Sequence, residues 1–118
     1  MLPPTAISRT PASVDLSWLP PGSPNGIVSL YTLERRQQGE DLMTTVLSVS
    51  ADTELRYVDE DSSISPYEVY EYRVIATNSA GDSPSPWTQV TTMSSRMLSH
   101  FSTSVKVTQS KFVMMFRA

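Results

Sequence analysis

Few residues in this chain are of a type that does chemistry. There is no cysteine, and the single histidine, His100, lies in a C-terminal stretch apart from the alternating segments that suggest a fold. Acyl transfer needs a nucleophile, a base and an orienting group within hydrogen-bond reach of one another. The sequence offers no thiolate and no base for a serine inside its patterned region. The densest carboxylate run is Asp59, Glu60 and Asp61. Neighbouring strand residues point to opposite faces, and no glycine-centred cation loop accompanies the run, so it reads as a solvated acidic turn. No catalytic residue, no cofactor site and no metal site is expected. Arg35, Arg56 and Arg73, interleaved with Glu34, Glu68 and Glu71, read as surface charges pairing across strands.

Two residues remain as candidates for a protein contact. Trp87 shares parity with Gln89 and Thr91 and opposes Val90, on an edge strand whose core side does not need a large aromatic. Aromatic side chains anchor interfaces. The alternative is that Trp87 folds over the edge of its own sheet or meets an adjoining module. Asp82 follows Gly81 in a turn, where glycine supplies a positive φ and aspartate caps its own backbone.

The elements that must hold these residues are strands. Val14, Leu16 and Trp18 alternate with Asp15 and Ser17, the pattern of a strand with one buried face. The run Pro20 to Gly26 then enforces a long loop. Ile27 to Glu34 carries apolar groups on both parities and reads as a central strand, followed by a polar turn from Arg35 to Asp41. Met43 to Val49 and Leu55 to Val58 read as further strands. Tyr70, Tyr72, Val74 and Ala76 alternate with Glu71, Arg73, Ile75 and Thr77 in a long strand that closes at Asn78 to Asp82. Pro84 and Pro86 precede a last strand, Trp87 to Thr92. About six or seven strands, with turns every 8 to 12 residues or so, predict an antiparallel β-sandwich.

The 118 residues fit one domain, and 39% hydrophobic content suffices for one core. Residues 1–92 hold all 12 acids and five arginines, a net charge of −7, whereas residues 93–118 hold four basic residues and no acid. An acidic domain repels phosphate backbones, so no nucleic-acid partner is expected. No apolar run approaches the roughly 20 residues that span a bilayer, so no direct membrane insertion is expected. The amino terminus lacks the pattern of a signal peptide.

The residues of these strands resemble the fibronectin type III family. Trp18, Pro20-Pro21, Asn25-Gly26-Ile27 and Tyr31-Thr32-Leu33 are similar to its B and C strands. Ile64, Pro66, Tyr67, Tyr70, Tyr72, Arg73, Val74, Ala76, Asn78 and Gly81 are similar to its E–F corner and F strand, in order and close to its usual spacing. The resemblance spans roughly residues 3–92. It implies an all-β, immunoglobulin-like antiparallel sandwich with Trp18, Tyr31, Leu33, Ile64, Tyr70, Tyr72 and Val74 in the core. Tyr70 resembles the tyrosine corner, its hydroxyl clamping the crossover near Ser62 to Pro66. Some members carry an Arg-Gly-Asp integrin motif in the loop that here reads Ala80, Gly81, Asp82, Ser83; without the arginine, integrin binding is not expected.

The implied function is that of a non-catalytic adhesion or spacer module in a large extracellular or cell-surface protein. Its expected partners are proteins and neighbouring modules, and the isolated domain is expected to be monomeric. The alternative is a module of an intracellular cytoskeletal or muscle scaffold. Residues 93–118 have no counterpart in the fold and read as a non-modular, basic, Met- and Ser-rich tail, largely without fixed structure.

Overall fold

The computed structural model describes residues 1–22 and 27–95. Eight strands follow in order: β1 (Thr5–Arg9), β2 (Val14–Ser17), β3 (Leu30–Gln37), β4 (Thr44–Ser50), β5 (Arg56–Asp59), β6 (Val69–Asn78), β7 (Gly81–Pro84) and β8 (Thr88–Thr91). All pairings are antiparallel. One sheet has the order β1-β2-β5; the other has the order β4-β3-β6, with β7 and β8 pairing successive halves of β6.

Period-2 alternation produces the sandwich, since each strand turns one parity toward the facing sheet. Val14 and Leu16 from β2, Tyr31 and Leu33 from β3, and Tyr70, Tyr72, Val74 and Ala76 from β6 meet between the sheets with Trp18, Ile64 and Val90. The Trp18 indole lies against Tyr31 with ring centroids 6.3 Å apart and planes tilted by 59°. Tilted aromatic pairs of this kind add about 0.5–1.5 kcal/mol beyond their buried area.

Two strands lack a pattern in the sequence. β1 is exposed along most of its length and slips register between Ala6 and Ser8, so it shows no clean alternation. β7 is four exposed residues ending in proline, held by backbone pairing to Ile75–Asn78.

The predicted strand Ile27–Glu34 needs correction. β3 begins at Leu30 and runs through Arg35, Arg36 and Gln37, which the sequence presents as a turn. β6 is ten residues long and offers partners as far as Tyr70, opposite Gln37, so the polar residues are drawn into the ladder. The turn is confined to Gln38–Asp41, where Gly39 takes φ +84° and the Glu40 amide donates to the Gln37 carbonyl at 3.0 Å. The last strand starts at Thr88, one residue later than predicted.

The chain enters and leaves at opposite poles. Met1 lies beside the β6–β7 turn at Asn78–Gly81. At the far end, the Met93 amide donates to the Thr10 carbonyl and the Met93 carbonyl accepts from the Tyr67 amide, both at 3.2 Å. These bonds reach one residue past the boundary at Thr92. From Arg96 onward, the expectations for the C-terminal segment, His100 included, lie outside the described residues.

Candidate functional site

The acidic run Asp59-Glu60-Asp61 does not form a solvated turn as a unit. Asp59 ends β5 on the core side and is only 1% exposed, while Glu60 and Asp61 are exposed. A buried carboxylate requires a partner, and Arg35, brought inward by the parity of Tyr31 and Leu33, provides it. One Arg35 guanidinium nitrogen donates to Asp59 Oδ2 at 2.6 Å. The other donates to Ser63 Oγ at 2.7 Å and to Asp61 Oδ2 at 3.1 Å. The Tyr72 hydroxyl donates to the same Asp59 oxygen at 2.8 Å. The network joins β3 and β6 of the larger sheet to β5 of the smaller one. Burial, the largest single influence, lowers the Arg35 pKa, but the bonds and charges of Asp59 and Asp61 together outweigh it and the net shift is upward. Burial, reinforced by Asp59, pushes the Tyr72 phenol far above its ordinary range. The Ser63 hydroxyl, then Arg35, hold Asp61 below the usual carboxylate range.

Tyr70 fastens the neighbouring crossover. Its hydroxyl accepts from the Ser65 amide at 2.7 Å and lies 3.4 Å from the Ser63 carbonyl. Tyr67, in the same corner, is 75% exposed and takes φ +51°.

On the outer face of the larger sheet, charges pair in register. Arg73 donates to Glu34 at 2.8 Å, Arg36 to Glu71 at 2.7 Å, and Gln37 to Glu68 at 2.9 Å. Arg35 has no part in this ladder because it points inward. Arg56 belongs to the other sheet, where it grips Asp15 with two nitrogens at 2.7 and 3.1 Å and holds that carboxyl below its ordinary range.

Trp87 lies across this ladder. Its ring centroid lies 4.1 Å from the Arg36 guanidinium and 4.6 Å from that of Arg73. It is half-buried, so the residue covers its own sheet and leaves only part of the indole to solvent. Asp82 is on β7 and does not cap its own turn; it accepts a bond from the Thr77 hydroxyl at 2.8 Å. The turn is capped by the Asn78 side chain, which accepts from the amides of Ala80 and Gly81 at 2.8 and 3.1 Å. The structure therefore keeps the two candidate contact residues apart, Trp87 over the sheet and Asp82 at the pole that holds Met1.

The sequence reading missed Arg36 and the buried role of Arg35 and Asp59. A signal was present: Arg35 continues the inward parity of Tyr31 and Leu33, and Asp59 lies one strand length from Leu55. Among the described residues, no cluster of three or more His, Cys, Asp or Glu side chains is placed to hold a metal ion. No described helix is long and apolar enough to cross a membrane.

Sheets of three and five antiparallel strands, closed by a buried tyrosine corner, define an immunoglobulin-like sandwich. The chain belongs to the fibronectin type III domain family, which matches residues 3–94. Human usherin is 43% identical over 94 residues, covering 79% of this chain and 2% of usherin. The chicken proto-oncogene tyrosine-protein kinase ROS is 29% identical over 90 residues, covering 76% of this chain and 4% of the kinase. The chain thus spans only a few per cent of the length of these relatives. Among solved structures, the sixth fibronectin type III domain from human fibronectin type III domain containing protein 3 superimposes with a TM-score of 0.67 at 25% identity. That match covers 80% of this chain and 84% of the other. The run from Asn78 through Trp87 to Thr92, with tryptophan where many modules have proline, resembles usherin modules in particular.

Proposed function

We propose that the chain is a non-catalytic adhesion or spacer module of a large extracellular or cell-surface protein, binding other proteins and adjoining modules. The observation that carries this reading is the separation of its ends. Met1 and Met93 lie at opposite poles of a sandwich whose longest strand has ten residues. At roughly 3.3 Å per residue, that strand alone spans about 33 Å, so the module adds length to a chain passing through it. The Arg35–Asp59 network and the Tyr70 corner fasten the two sheets and give that length stiffness. Similarity to short stretches of usherin and of the tyrosine-protein kinase ROS supports a module within a much larger protein. The half-covered Trp87 and exposed Asp82 supply two separate faces for protein contact.

The test is attachment of cells to surfaces coated with the monomeric protein. Attachment above that of an albumin-coated surface, reduced in Trp87→Ala or Asp82→Ala variants that stay folded, is the expected result. Attachment no better than albumin, with the folded protein present at full density, overturns the adhesion reading.

A further inference from the structure

The sandwich has an open lateral seam. On one side the Thr88 hydroxyl donates to the Pro4 carbonyl at 2.6 Å, bringing the start of the chain against β8. On the other side β4 and β5 are the last strands of their sheets. Between them runs a groove of about 420 Å³, lined by Thr44, Thr45 and Val46 on one side, by Tyr57 to Asp61 on the other, and by Arg35.

Edge strands expose a row of backbone N–H and C=O groups, and proteins blunt them with proline, charge, bulges or short length. Three edges here carry such devices. β1 is bulged, β5 has four residues including Arg56, and β7 ends in Pro84. β4 carries little protection. It lies within Leu42–Ala51, a run with no charge, proline or glycine. Its one irregularity falls near its start, leaving Leu47–Ser50 in continuous register with Leu30–Leu33 and, among the described residues, with no strand on the outer side. Leu42 and Met43, 87% and 44% exposed, extend the apolar rim.

Carboxylates surround this neutral edge. Glu40 and Asp41 precede it, Asp52 and Glu54 follow it, and Glu60 stands across the groove, all of them exposed. The nearest cations are already committed: Arg35 to Asp59, Arg73 to Glu34 and Arg56 to Asp15. We infer that β4 is a strand-addition site for an extended, β-branched segment of a partner protein with lysine or arginine at its ends. Main-chain bonds to β4 supply affinity, and the groove takes the side chains of one parity, the usual division of labour in strand addition. The acidic flanks select the basic ends and steer their approach. A second copy of this chain fits poorly, because an antiparallel self-pair centred on Leu47 sets Glu40 against Glu54 twice, and like charges opposite each other destabilise pairing.

The inference rests on reading the module as a protein-binding unit, and it is tested separately from adhesion. The full chain, labelled for amide spectroscopy, is titrated with a synthetic peptide of about eight alternating threonines and valines with paired lysines at both ends. Expected are shifts and slowed hydrogen exchange in Thr44–Ser50. Replacing the lysines by glutamates, or making Asp41→Lys with Asp52→Lys, should weaken binding about tenfold or more, with the effect shrinking at high salt. Ser48→Lys, an exposed substitution that leaves the core untouched, should also block the edge. Equal binding of the glutamate peptide, perturbation confined to other strands, or self-association through β4 overturns the inference. If no β4 amide responds while coated protein still attaches cells, the edge assignment fails and the adhesion reading stands.

Discussion

At the scale of single residues, the Arg35–Asp59 pair decides more than its two positions suggest. A buried ion pair is weak evidence of net stabilisation, yet removing one partner leaves the other charge buried and uncompensated. Arg35→Met should therefore cost about 3–5 kcal/mol in urea unfolding. Combining Arg35→Met, Asp59→Leu and Tyr72→Phe removes the buried polar groups of the network and leaves the exposed Asp61 and Ser63 to water, so this variant should be more stable than Arg35→Met alone. A triple variant less stable than the single would show that the pair contributes net stability. Tyr70→Phe deletes the acceptor of the Ser65 amide and should cost roughly 1–3 kcal/mol. The apolar core residues were legible because hydrophobicity and parity agree at Trp18, Tyr31, Leu33 and Tyr72. Arg35 shares that inward parity, but a charged residue there makes sense only when its partner is known, and that partner, Asp59, is 24 residues away on the other sheet.

At the scale of elements, the same limit governs which strands could be read. β2 and β6 bury one parity and announce themselves, whereas β1 and β7 are held by backbone pairing and leave little trace in side-chain type. The end of β3 was misplaced because a run of Arg, Arg and Gln resembles a turn until the length of β6 is known. Trp87 shows the converse: its edge-strand position allowed either a contact face or a fold over its own sheet, and the two arginines that cover it come from β3 and β6. Cation–π contacts are each worth about 0.5–2 kcal/mol, less when the cation is solvated. Trp87→Ala is expected to lose about 1–2 kcal/mol in the same unfolding assay; no change would mean that the stack does not persist in solution. Gly39, at φ +84° between β3 and β4, allows a second test at this scale. A Cβ there meets no neighbour within 4 Å, so Gly39→Ala should cost about 1 kcal/mol through backbone conformation alone.

For the molecule as a whole, stability should form a plateau bounded by two different chemistries. On the acid side, Asp15 and Asp61 have folded pKa values below their ordinary 3.8, lowered chiefly by Arg56 and by Ser63 with Arg35 respectively. A depressed carboxylate contributes stability above its unfolded pKa, and that contribution fades as pH falls through the lower folded value. The acid limb should therefore begin below about pH 4 and shrink in concentrated salt, because the Asp15–Arg56 pair is exposed enough to be screened. On the alkaline side the sign reverses. Tyr31 and Tyr72 have pKa values raised above 10.0, Tyr31 by burial and Tyr72 by burial together with Asp59. The unfolded chain loses these protons first, so each step above pH 10 favours unfolding. Ultraviolet titration checks this directly. Tyr72 should fail to ionise while the protein is folded and titrate only with the loss of the near-ultraviolet circular dichroism signal. In Tyr72→Phe that late step should be lost, and the alkaline limb should become shallower. If the titration shows no step coupled to unfolding, Tyr72 is not shielded, and the network between the sheets is open to water.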